Sequence, residues 1–115
     1  MPAVDPLDQA TIAAVRQFFQ LVQQHFDAQQ VVLFGSRARG THRTDSDADV
    51  AVLLTGKHGA VLPVKMQMAD MAFDIMLETG ILISPMPVWE DEWEQPSLHS
   101  NPDLLVNIQR EGIRL

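Results

Sequence analysis

Val31-Val32-Leu33-Phe34-Gly35-Ser36-Arg37-Ala38-Arg39-Gly40, followed after a short polar run by Asp47-Ala48-Asp49-Val50-Ala51-Val52-Leu53-Leu54, is the stretch that decides the fold. Val31 to Phe34 is a continuous apolar run stopped by Gly35, the pattern of a strand buried on both faces. Residues 35 to 46 carry Gly, Ser, Thr, Asp and Arg with no hydrophobic period, which predicts a loop. Asp47 to Leu54 resumes a strand pattern, and Gly56-Lys57-His58-Gly59 breaks it.

This strand–loop–strand unit concentrates chemistry. Asp47 and Asp49 stand two residues apart, so on a strand both carboxylates leave the same face, with Cα atoms roughly 6 to 7 Å apart. Ala51 follows on that face and leaves space, while Val50, Val52 and Leu54 point into a core. Two acids held together repel each other unless a cation lies between them, and an oxygen-only pair suits Mg²⁺ completed by water and phosphate. Upstream, Gly35 permits a sharp turn and Ser36 offers a hydroxyl and an N–H to a phosphate oxygen. Arg37, Arg39 and Arg43 are three of only eight Lys and Arg residues. Such a basic island beside paired acids is what polyphosphate recognition requires.

Other readings of the same residues fail on particular positions. A calcium loop from Asp45 needs Gly at position 50 and an acid at position 56, where Val50 and Gly56 stand. A phosphate-binding P-loop from Gly35 needs Lys at position 41, where Thr41 stands. A solvated polar loop could hold these acids by chance, but strands flank it on both sides. His25, His42, His58 and His99 show no metal-ligand spacing, although His42 lies in the loop and could meet an anion when protonated.

Outward from this unit the periodicities are clear. Asp5-Pro6-Leu7-Asp8 reads as a helix start, and Ile12, Val15, Phe19, Val22 and Phe26 predict one apolar stripe on a helix reaching His25 or Phe26. Val61 to Glu78 has helical spacing at Val64, Met68, Met71 and Ile75, with Gly80 as a stop. The methionines read as adaptable core packing. Ile81 to Val88 predicts a third strand, in which Pro85 and Pro87 remove donors on one side and so mark an edge. Trp89 and Trp93 predict a short helix with both indoles on one side as core cover. Asn101-Pro102-Asp103 opens a last helix that buries Leu104, Leu105 and Ile108 and ends at Gly112.

Composition bounds the function. The chain has 115 residues, 46% of them hydrophobic, which suits one domain over residues 1–115. A net charge of −7 argues against a nucleic-acid polymer as ligand, because that needs a broad basic face. No apolar run is long enough to span a bilayer, and Met1-Pro2-Ala3-Val4-Asp5 lacks the features of a signal peptide, so a cytoplasmic location is expected. The absence of cysteine excludes disulfides and thiolate metal sites.

Gly35-Ser36, ten residues, then Asp47-Ala48-Asp49, with Gly-Ser-Arg-Ala-Arg-Gly after the first strand, resembles the minimal nucleotidyltransferases of the DNA polymerase β superfamily. The likeness is sharpest over residues 31 to 54. It implies an α/β fold, a short mixed sheet with helices mainly on one face and the site at an open edge. It also implies Asp47 and Asp49 as catalytic ligands of two Mg²⁺ ions, with Gly35, Ser36 and Arg39 orienting the triphosphate of ATP. Such proteins commonly accompany a small helical HEPN ribonuclease toxin, and the resemblance implies an antitoxin that transfers AMP to a tyrosine of that partner. Once sheet and helices are counted, little chain remains to enclose a small acceptor, which points the same way. Active relatives place a third carboxylate on a later strand. Ile81 to Val88 has none, leaving Asp74 and Glu78 as candidates by sequence order. Two alternatives therefore stand beside protein adenylylation: neutralisation of the toxin by binding alone, and nucleotidyl transfer to a small molecule.

Overall fold

A computed structural model describes residues 9–40 and 46–115. The helix start at Asp5 to Asp8, and His42 and Arg43, lie outside the described residues. Helix α1 (Gln9–His25) buries Thr11, Ala14, Val15, Phe18 and Val22. Val15 and Val22 belong to the predicted stripe, whereas Ile12, Phe19 and Phe26 sit half-buried at its border. The buried face is rotated toward Thr11, whose Oγ1 accepts from Arg37 Nη1, and toward small Ala14, which packs in the core.

Four strands, β1 (Ala28–Phe34), β2 (Ala48–Leu54), β3 (Ile83–Trp89) and β4 (Ile113–Arg114), form one sheet in the order β3-β2-β1-β4. β1 runs antiparallel to both β2 and β4, while β2 and β3 are parallel, joined by the crossover helix α3 (Val61–Thr79). The four-residue helix α2 (Ser36–Arg39) links β1 towards β2. Strand alternation divides the core in two. Val31, Leu33, Val50, Val52 and Leu54 face α1 and α3, where Phe18, Met68 and Ala72 meet them. Val32, Ala51, Leu53 and Val88 face the other way, under Leu105 and Ile108 of α5 (Pro102–Glu111). The two longest helices thus share one face, and α5 covers the other.

β3 is an edge strand, as Pro85 and Pro87 require, and among the described residues it pairs only with β2. β4 is an addition that periodicity does not reveal: two residues carry no pattern, yet Ile113 pairs with Leu33 and Arg114 with Val32. The two tryptophans correct a further expectation. Trp89 is the last residue of β3 and joins the α1/α3 core, whereas Trp93, within α4 (Glu90–Glu94), is half-buried against the α5 side. They do not share a side because strand alternation, rather than a helical turn, sets the direction of Trp89. Its N–H donates to Glu92 Oε1 at 3.1 Å, so strand passes into helix without a loop. A 3₁₀ turn (Pro96–Leu98) then leads to α5, whose Leu104 N–H donates to Asn101 Oδ1 at 3.3 Å.

At the far end of β2 the Gly56–His58 loop is tied to α4. The Gly56 N–H donates to Glu90 Oε2 at 3.1 Å, and His58 Nδ1 lies 2.7 Å from Asp91 Oδ2. Burial pushes the Asp91 carboxyl up, but hydrogen bonds from the His58 side chain and backbone outweigh it and hold the group below its ordinary range. No helix among the described residues is long and apolar enough to cross a membrane. The second face depends on α5, so Leu105→Ala, at a fully buried position, should lower unfolding free energy in urea by about 2 to 5 kcal/mol. A loss under about 1 kcal/mol would show that α5 contributes little to the core.

Candidate active site

The register of β1 against β2 builds the site. Phe34, the last residue of β1, is the partner of Asp49, so the chain leaves β1 beside the acid. Gly35 then takes φ 75° and ψ −155°, a conformation that side chains oppose. A Cβ at this position would collide with Asp49 Oδ2, so the turn and the carboxylate occupy adjoining space that only glycine leaves open. Ser36 opens α2, and the Arg39 N–H closes back on the Gly35 carbonyl at 3.2 Å.

Asp49 is half-buried on the α5 face of β2. Asp47 is exposed and precedes the strand, which begins at Ala48 rather than at Asp47. The two acids nevertheless sense each other. Burial holds the Asp49 carboxyl above its ordinary range, the charge of Asp47 raises it further, and Arg39 partly offsets both. Among the described residues, no three His, Cys, Asp or Glu side chains gather as a metal cluster. The pair that is present fits a Mg²⁺ ion, because its donors are oxygen only and their repulsion is what a hard cation relieves, with water and phosphate completing the shell.

The two arginines of α2 divide. Arg37 is buried, donating from Nη1 to Thr11 Oγ1 at 2.9 Å and from Nε to the Ser46 carbonyl at 2.9 Å. It braces α1, α2 and the approach to β2, and the expectation that it holds phosphate oxygens is corrected: its guanidinium is engaged within the protein. Arg39 is exposed and lines a cavity of about 310 Å³ together with Gly35 and Asp49. Ser36 and Asp47 do not line it.

The opposite wall of that cavity is α5, which contributes Leu104, Asn107, Ile108 and Glu111. Sequence reasoning did not connect these residues to the site. The local signal was only an amide and an acid four positions apart on a helix, and it takes the β4 pairing to bring that helix back beside Phe34.

Two further expectations change. Asp74 and Glu78 are exposed on α3, which packs on the face of β2 opposite Asp49, so neither supplies a third acid. They line a larger groove of about 510 Å³ between α1 and α3, remote from the paired acids. In register beside Asp49 on β3 stands Ser84. The site also does not lie at an open edge: β1 and β2 are the two interior strands, and the acids sit at their ends.

With this geometry in view, the model of the nucleotidyltransferase domain family matches residues 15–109. The chain belongs to that family, and its mixed four-stranded sheet with helices on both faces is a small α/β form of the nucleotidyltransferase fold. A crystal structure from Sulfolobus solfataricus, assigned provisionally to the nucleotidyltransferases, aligns at 21% identity over 76% of this chain and 81% of that one, with a TM-score of 0.49. A search of curated proteins finds no match.

Two predictions follow from the Gly35–Asp49 contact. Gly56 also has positive φ, at 92°, but nothing lies within 4 Å of a Cβ there. Gly56→Ala should therefore cost about 1 kcal/mol for its backbone alone, whereas Gly35→Ala should cost about 3 kcal/mol or more, as backbone strain and collision add. Equal costs in urea unfolding would show that the predicted collision has no effect. Secondly, the Asp49 carboxyl ionises less readily folded than unfolded, so stability falls as pH rises from the unfolded value, about 3.9, through the raised folded one. In metal-free buffer Asp49→Asn should melt higher than the natural chain at pH 7, and the gain should vanish below that window. An unchanged or lower melting temperature at pH 7 would contradict the stated electrostatics.

Proposed function

We propose that this chain transfers AMP from ATP to a hydroxyl of a protein partner, a tyrosine of a cognate HEPN toxin, and thereby acts as its antitoxin. The observation that carries the transfer is the Gly35 turn held against Asp49, with Arg39 on the same cavity. In this reading Gly35 and Ser36 seat the phosphates, Arg39 neutralises them, and Asp47 and Asp49 are the metal ligands. A divalent ion, when bound by these acids, supplies positive charge to the phosphate oxygens and lowers the cost of deprotonating a hydroxyl. The acceptor hydroxyl gives its proton to water, its oxygen forms a bond to the α-phosphorus, the bond from that phosphorus to the α–β bridging oxygen breaks, and pyrophosphate leaves.

A protein acceptor is supported by the surface. Leu62, Met66, Phe73 and Leu77 are exposed along one side of α3, an apolar stripe of the kind that partner helices cover. The family membership supports nucleotidyl transfer in general. Incubating the chain with ATP, Mg²⁺ and the toxin should add AMP to the toxin by mass spectrometry, and Asp47→Ala should abolish the adduct. Unmodified toxin in the complete mixture would overturn the reading.

A second reading, neutralisation by binding alone, is favoured by β3, which sets Ser84 in register beside Asp49 and carries no acid, whereas the family resemblance implies a third carboxylate on a later strand. It predicts toxin inhibition that survives replacement of both Asp47 and Asp49 by Ala. Inhibition lost in that double variant excludes it.

A further inference from the structure

The cavity beside Asp49 has two kinds of lining. Gly35, Arg39 and Asp49 present a turn, a cation and an acid. Phe34, Ala38, Leu104 and Ile108 present apolar surface, and α5 adds the polar side chains of Asn107 and Glu111. Its volume of about 310 Å³ is at the lower limit for a small-ligand pocket, roughly 300 to 1,000 Å³. Asn107 and Glu111 are four positions apart on one helix, hence neighbours on one face. Both are exposed.

Neither side chain is needed to hold the fold. Among the described residues Glu111 has no hydrogen-bonded or ionic partner, and Asn107 Oδ1 accepts only from Arg110 Nη2 at 3.5 Å, the limit of such a bond. The direction of α5 sets their order. Ile113 pairs with Leu33, next to Phe34, whose partner is Asp49, so the last turn of α5 ends beside the acid. Glu111 lies in that turn and Asn107 one turn earlier.

We infer that the cleft between the Gly35–Gly40 turn and α5 takes the nucleoside half of the nucleotide, with Glu111 accepting from the sugar hydroxyls and Asn107 reading the base. This rests on the triphosphate site proposed above and adds its specificity. A carboxylate is an acceptor-only group matched to a vicinal diol, as where an acidic side chain reads a ribose. A side-chain amide offers one donor edge and one acceptor, the pattern complementary to adenine's amino group and adjacent ring nitrogen. Phe34, Leu104 and Ile108 supply the apolar contact that a planar base requires. The two residues are thus specificity determinants, and the chemistry stays with the acids.

The test is calorimetric titration of the full chain with Mg²⁺ and four probes: tripolyphosphate, ATP, GTP and 2′,3′-dideoxyATP. ATP should bind at least about tenfold tighter than each of the other three, the worth of one charged or well-placed pair of hydrogen bonds. Glu111→Gln should collapse the ATP to dideoxyATP ratio and keep the ATP to GTP ratio. Asn107→Ala should do the reverse, and neither should alter tripolyphosphate binding or the melting temperature. ATP binding no tighter than tripolyphosphate, or ratios unmoved by both variants, would overturn the inference while leaving the triphosphate site standing. Failure of tripolyphosphate and ATP alike to bind overturns both.

Discussion

The site depends on one register. Because Phe34 and Asp49 are partners across β1 and β2, the chain leaves β1 at Gly35 in contact with the carboxylate. A slip by one residue would turn Asp49 toward the α1/α3 core and bring a valine to the turn. What prevents the slip is burial on both faces, with Val50, Val52 and Leu54 on one side and Ala51 and Leu53 on the other. The apolar residues of β2 therefore position the acid as surely as any hydrogen bond does, and core and chemistry are specified by the same seven residues.

Arg37 serves the same end from a different direction. A guanidinium stays charged at any physiological pH, so burying it obliges the protein to surround it with acceptors. Among the described residues, those acceptors include Thr11 Oγ1 on α1 and the Ser46 carbonyl just before Asp47. The first helix and the acid-bearing strand are thereby fixed to one cation. Two residues along, Arg39 points outward and remains available to a ligand.

The central unit was legible because its signals are local: an apolar run ended by glycine, then acids alternating with aliphatic residues. Secondary structure was equally legible in α3, in the proline-marked β3 and in the capped α5. What could not be read was whatever depends on distant segments meeting. Arg37 and Arg39 are the same residue type in the same stretch of sequence, and only the packing of α1 separates the buried brace from the exposed side chain that lines the cavity. β4 is too short to carry a period, and without it nothing places Asn107 and Glu111 beside Asp49. Asp74 was placed on a helix by its spacing, but which face of the sheet that helix covers is a matter of crossover, not of pattern. The rotated stripe of α1 has the same origin: Thr11 is buried in a hydrogen bond to Arg37, a partner 26 residues away that the helix's own periodicity cannot reveal.

The borders of the sheet limit how another polypeptide can pair with it. On one side β3 lacks amide donors at Pro85 and Pro87, and on the other β4 contributes only two residues. Among the described residues the β3 border offers no continuous ladder and β4 extends the other by two residues only, which disfavours docking as an added strand. On the proposed reading, an acceptor tyrosine would instead be presented end-on, across the mouth formed by the strand tips and the Gly35–Gly40 turn. Recognition of a protein acceptor would then fall to side-chain surfaces and not to backbone pairing, making such a target's identity a property of shape rather than of any extended sequence motif.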